Sequence, residues 1–63
     1  MSLLDTYLAN AKAQRDAAAI TDLPNRKAMH ERSAEAWEEM ARDAQITATR
    51  AAINLAAKTI LNA

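Results

Sequence analysis

The sequence predicts an all-α protein: an antiparallel helical hairpin with a long second helix, or with a third, C-terminal helix in place of its second half. Three observations lead to this fold class. The 63 residues include no glycine, one proline and 17 alanines, which is a strongly helical composition. Apolar residues recur at three- and four-residue spacing, and the alternation typical of strands is missing. The clearest turn signal lies at the single proline, Pro24.

The size and composition of the chain also predict that it associates, so that the helices form an oligomeric bundle. A chain this short buries only about 60% of the surface that its unfolded form exposes. Small proteins usually gain further stability from disulfides, metals or oligomerisation. The lack of cysteine excludes disulfides and a thiolate zinc site, and one histidine is too few for an all-imidazole site. We therefore expect a homo-oligomer, most simply a dimer, or a protein partner, and no cofactor.

Charge and hydropathy argue against several classes of partner and location. Eight basic and eight acidic residues give a formal net charge of zero, which disfavours binding to duplex nucleic acid. The sequence has no run of 18 apolar residues, so no transmembrane helix is predicted. The N-terminal residues lack the basic region and apolar core of a signal peptide, so we expect a cytoplasmic protein.

The first helix is predicted over about residues 3–20. Ser2 can cap it, and Asp5 follows three residues later in a variant of the capping box. One side of this helix carries leucine at its start and alanine toward its end, and we expect that side to face the second helix. Its predicted core residues are Leu4, Leu8, Ala11 and Ala18.

The turn is predicted at residues 21–24 and the second helix from about residue 24 to 44. Pro24 suits the first turn of a helix and biases Leu23 away from helical dihedral angles. A connection this short makes the two helices pack side by side and antiparallel. The residues of the second helix predicted to face the first are Met29, Ser33, Trp37, Met40 and Ala44.

The apolar side of the second helix changes after residue 44. Isoleucines recur there at seven-residue spacing, roughly 160° around the helix from the first stripe at about 100° per residue. Because a seven-residue repeat drifts by only about 20° per heptad, drift does not explain the change. The interface predicted from this second stripe consists of Ile46, Ile53, Ala56, Ala57 and Ile60.

Two structures are consistent with this change in the apolar side of the second helix. In the first, an unbroken helix continues to about residue 62 and packs its second stripe on another chain. In the second, the helix breaks near residues 45–49, where β-branched residues lower helix propensity, and a third helix folds back. No glycine or proline enforces a break, which favours the unbroken helix.

Side chains that could carry chemistry do not assemble a predicted active site. His30 has arginine, lysine, serine and alanine three and four residues away, so no metal-ligand set forms on its helix. Carboxylates need a cleft to shift their pKa values for acid–base work, and one helix side offers none. The acidic residues of that side are Glu31, Glu35, Glu38, Glu39 and Asp43. We predict no catalytic, cofactor-binding or metal-binding residue.

The expected function is therefore non-enzymatic: a small helical interaction protein that serves as a self-assembling scaffold, adaptor or accessory subunit. The alternative is a nucleic-acid-binding hairpin or regulator that acts through a basic cluster near the turn. That cluster consists of Lys12, Arg15, Arg26, Lys27 and Arg32. Interleaved aromatic residues and a net positive charge, which usually accompany such binding, are missing.

The segment LPNRKAMHERSAEAWEEMARDAQ, residues 23–45, together with Tyr7, resembles a pattern found in short uncharacterised bacterial helical-hairpin proteins. In that pattern a proline-containing turn leads into a helix with arginine, then Ser-Ala, then tryptophan, then alanine. The resemblance implies a helical hairpin and no assigned activity. The isoleucine repeat beyond residue 45 departs from the pattern, so the resemblance implies nothing about an oligomer.

Overall fold

The computed structural model describes residues 2–62, which form two α-helices. Helix α1 spans Leu3–Ile20 and helix α2 spans Pro24–Leu61, joined by residues 21–23. The residues described include no β-strand. The predicted all-α hairpin is confirmed at this level, and the packing of its two helices determines which surfaces stay exposed.

The start of α1 shows the predicted capping box. The amide of Asp5 donates to the Ser2 hydroxyl at 3.1 Å, and the amide of Ser2 donates to the Asp5 carboxylate at 3.4 Å. The helix ends at Ile20, and the backbone of Thr21 after it is extended. Leu23 is also extended, as expected before Pro24, which occupies the first turn of α2 where it needs no amide hydrogen.

Two contacts define the antiparallel register of the hairpin. The rings of Tyr7 and Trp37 lie 5.8 Å apart between centroids, and His30 Nδ1 lies 2.8 Å from Gln14 Oε1. The residue numbers of these two pairs add up to 44 and those of the interhelical Arg15–Glu38 pair add up to 53, so α1 begins level with about residues 41–50 of α2. Beyond that level, α2 continues without α1 beside it.

Alanines form the centre of the packing between the helices. The fully buried residues among those described are Ala11 and Ala18 on α1 and Ala34 and Ala41 on α2. Each pair is spaced by seven residues, which keeps it on one side of its helix. Because interaxial distance depends on the side chains at the contact, small residues at the centre allow a close approach of the two backbones.

The side of α2 that packs on α1 differs from the predicted one. Trp37, Ser33 and Ala44 are half-buried, but Met29 and Met40 are 49% and 37% exposed. These methionines lie roughly 120–140° around the helix from Ala34 at about 100° per residue, so α1 does not cover them. On α1, Leu4 is half-buried while Leu8, also predicted in the core, is 51% exposed. The prediction weighted large side chains, whereas the contact is centred on small ones.

Helix α2 is unbroken over 38 residues, so the structure has the continuous helix and not the break near residues 45–49 with a third helix. Its second half extends past α1 along a molecule whose principal extents are 60 × 18 × 11 Å. Every residue from Gln45 to Asn62 is exposed. We call residues 45–61 of α2 the overhang.

Candidate interaction surface

The overhang presents the isoleucine stripe as an uncovered surface. Ile46, Ile53 and Ile60 are 48%, 61% and 76% exposed, and Ala56 and Ala57 between them are exposed too. Because α2 is continuous, the seven-residue spacing keeps the isoleucines within about 40° of one line along the helix. The five residues predicted for the interface therefore share one side of one exposed helical segment.

A second apolar line on the overhang was not predicted from the sequence. Leu55 is exposed and lies at seven-residue spacing from Ala41 and Ala48, on the side of α2 that α1 covers nearer the turn. The signal that could have revealed it is the repeat of buried alanines at positions 34 and 41, continued by two more heptads. This line holds one large residue, so it offers less apolar surface than the isoleucine stripe.

Two shallow, open clefts flank the start of α1, where the hairpin changes from two helices to one. The first lies beside Leu4 and Leu8 and reaches Arg42 and Gln45 of α2. The second lies on the other side and reaches from Tyr7 along α2 to Ala51. Both are open to solvent along α2. Apolar residues of both helices line them, with the charged Glu38 and Arg42 in the first and Asp43 in the second.

One interhelical ion pair lies at the edge of the hairpin contact. Arg15 binds Glu38 through two contacts, Nη2 to Oε1 at 2.8 Å and Nε to Oε2 at 3.3 Å. The hydrogen bonds from Arg15 lower the pKa of Glu38, and the same bonds raise the pKa of Arg15. Both side chains remain in contact with water, which screens the pair. The pair joins the two helices and leaves Arg15 oriented toward α2.

The basic cluster proposed for nucleic-acid binding is partly engaged with acidic groups. Lys12 lies 2.7 Å from the Asp16 carboxylate, and Arg15 binds Glu38. Arg26, Lys27 and Arg32 are exposed on α2. Since two of the five cations already have carboxylate partners, no observation favours this alternative over an apolar interaction surface.

His30 lies on the side of α2 that faces α1, whereas most acidic residues of α2 are exposed. The His30 ring is half-buried against Gln14, and because an amide oxygen only accepts, Nδ1 carries the proton in this contact. Glu35, Glu39 and Asp43 are exposed. Within residues 2–62 no three His, Cys, Asp or Glu side chains lie close enough together to hold a metal ion. Here His30 acts as a polar contact between the helices.

The isoleucine stripe of the overhang is thus an uncovered apolar surface in the described part of the chain. No helix there combines the length and apolarity needed to cross a membrane.

The resemblance to bacterial helical hairpins over residues 7–45 stays a prediction. Comparison with protein-family models, with curated proteins and with solved structures finds no match to this chain.

Proposed function

We propose that this protein is a non-enzymatic self-associating helical module, a small scaffold, adaptor or accessory subunit, and that its overhang binds a second copy of the chain. The observation that carries the proposal is the exposure of Ile46, Ile53 and Ile60 on an unbroken helix that extends beyond α1. Most helical stability in proteins comes from the packing of an apolar face, and the overhang has no such packing in the monomer. A second copy supplies such packing for both overhangs at once.

The chemistry of the stripe favours an identical partner. Isoleucines every seven residues, with alanine or threonine between them, make a surface that pairs with a helix of the same repeat. From residue 45 to residue 61 the helix has no acidic residue and only Arg50 and Lys58 as basic ones, so its surface is mainly apolar and recognition depends on apolar contact. An isologous contact places each isoleucine against the same kind of surface.

The energetics predict a weak, concentration-dependent oligomer. Full burial of an isoleucine side chain contributes about 1.5–3 kcal/mol, and roughly half or more of that remains to be gained at each of the three positions. Six isoleucines in a dimer then contribute on the order of 6–10 kcal/mol. Association costs about 4–15 kcal/mol in lost translational and rotational freedom. With a cost at the low end of that range a few kcal/mol remain, and about 4 kcal/mol corresponds to a Kd near 1 mM, so association is expected toward millimolar concentration.

Light scattering on a sizing column tests the proposal directly. The protein is expected to have a mass of two or more chains at near-millimolar concentration, and the mass should fall on dilution. Ile53→Asp should weaken association at least about 100-fold, because an uncompensated charge in an apolar contact costs about 3–5 kcal/mol. The hairpin should keep its helical circular dichroism.

Asn54→Asp is the matched control, since it adds the same charge to the neighbouring exposed position off the isoleucine line. It should leave the mass near that of the unsubstituted protein. A strict monomer of about 7 kDa at every concentration, or an oligomer that Ile53→Asp does not change, would show the proposal to be wrong.

A further inference from the structure

We infer that two copies join tail to tail, with their overhangs antiparallel about a two-fold axis beside Ile53. This inference rests on the proposed self-association and specifies its geometry. In the assembly Ile46 of each copy packs near Ile60 of the other, and the two Ile53 side chains meet at the axis. The two hairpins then lie at opposite ends of an elongated dimer.

The spacing of the stripe is compatible with such an axis. Ile53 lies seven residues from both Ile46 and Ile60, so a two-fold rotation at Ile53 exchanges the outer two positions. Ile46 lies near the start of the overhang and is 48% exposed. The stripe is also roughly 140° around the helix from Ala41, at about 100° per residue, so α1 does not obstruct a second overhang.

Charges on the same line of α2 select the antiparallel orientation. At seven-residue spacing toward the turn, the isoleucine line continues to Glu39 and then Arg32, and both are exposed. In a parallel dimer in register, the line would bring Glu39 against Glu39 and Arg32 against Arg32. Like charges at directly facing positions destabilise a helix pair. In the antiparallel dimer these residues lie at opposite ends and do not meet.

The dipoles of the helices favour the same orientation. Neighbouring antiparallel helices bring the positive end of one macrodipole toward the negative end of the other, whereas parallel ones align like ends. The contact between two overhangs is about 25 Å long at 1.5 Å rise per residue. Two helices packed over that length bury on the order of 1,000 Å², which is at the lower limit for a specific interface. Such a dimer separates on dilution, as the proposed function requires.

Single-cysteine variants test the geometry, because the chain has no cysteine of its own. Ile46→Cys, Ile53→Cys and Ile60→Cys are prepared separately and oxidised at near-millimolar concentration, and covalent dimers are counted on a denaturing gel without reductant. Ile53→Cys should form dimers by itself. A mixture of Ile46→Cys with Ile60→Cys should form dimers several-fold faster than either variant alone.

Leu55→Cys is the matched control. Leu55 is as exposed as the isoleucines but lies roughly 200° around the helix from Ile53, at about 100° per residue, and should form dimers only at the slow rate of random collision. Light scattering and circular dichroism on each reduced variant show that it associates and stays helical before oxidation.

The possible outcomes distinguish a wrong dimer geometry from a failure of the proposed self-association. Rapid dimer formation by Ile46→Cys alone and by Ile60→Cys alone would overturn the antiparallel orientation in favour of a parallel one. Rapid cross-linking through Leu55→Cys would overturn the isoleucine stripe as the contact, even if the protein remains a dimer. A monomer by light scattering, with no cross-linking at any position, would overturn the proposed function together with its geometry.

Discussion

Single alanines decide how the two helices pack. Ala34 is completely buried and Ala41 nearly so, while both methionines predicted for the core remain exposed. A side chain of one methyl group leaves room for the opposing backbone, and each added methylene at that point forces the helices apart. The stability of the hairpin therefore depends on the small size of the side chains at these positions as much as on the large residues beside them.

Ala34→Leu tests this account of the seam. The substitution is expected to destabilise the folded hairpin by about 1–3 kcal/mol, because overpacking forces backbone shifts or strained rotamers. Urea unfolding followed by circular dichroism, at one protein concentration, measures the change. Ala36→Leu is the control, since Ala36 is exposed on the same helix and the same substitution there should have little effect. Equal stabilities of the two variants would contradict the alanine-centred contact.

The ion pair between Arg15 and Glu38 predicts a dependence of stability on pH. Because the hydrogen bond from Arg15 lowers the pKa of Glu38 in the folded protein, the pair stabilises the fold above the ordinary pKa of a glutamate. That contribution is lost as the pH falls through the lowered pKa. The difference in unfolding midpoint between the unsubstituted protein and Glu38→Gln should therefore be largest near neutral pH and vanish in acid.

Salt provides the check on that pH dependence. Both side chains are partly exposed, so high ionic strength should reduce the difference at neutral pH as well. A difference between the two proteins that persists unchanged in acid and in high salt would mean that Glu38 stabilises the hairpin through packing and not through its charge.

At the scale of elements, local signals predicted where the helices begin. Ser2 and Asp5 form a capping box that depends only on residues close in the chain, and Pro24 restricts Leu23 directly. Such signals can be recognised in a sequence because the two interacting residues lie within one helical turn of each other. The start of each helix therefore follows from neighbouring residues alone.

The side of α2 that packs on α1 could not be predicted in the same way. Met29 and Met40 have more apolar surface than Ala34 and Ala41, and hydrophobic periodicity favours the larger residues. The choice between the two sides is made by how closely two backbones approach, which is a property of both helices together. The isoleucine stripe could be predicted because its seven-residue repeat is undisturbed, and nothing within residues 2–62 covers it.

At the scale of the whole molecule, one chain leaves much of its apolar surface uncovered. The hairpin fully buries only alanines within residues 2–62, and the overhang has no neighbour in the monomer. Segments with few buried contacts open at low free energy, whereas packed segments open only with the whole fold. Any partner that binds the folded form adds stability in proportion to its concentration. As the protein concentration increases, the fraction of associated protein and the helical order of the overhang should therefore increase together.

Amide hydrogen exchange across a range of protein concentrations measures this coupling. At low micromolar concentration, amides of residues 48–60 should exchange much faster than those of residues 30–44, because only the latter lie in the hairpin contact. Near millimolar concentration the overhang should become protected by at least about tenfold, since association then favours the ordered helix. In Ile53→Asp the overhang should exchange rapidly at both concentrations while the hairpin is unchanged. Protection of the overhang that is equal at all concentrations would mean that the helix is stable without a partner, and that burial of its isoleucines is not what orders it.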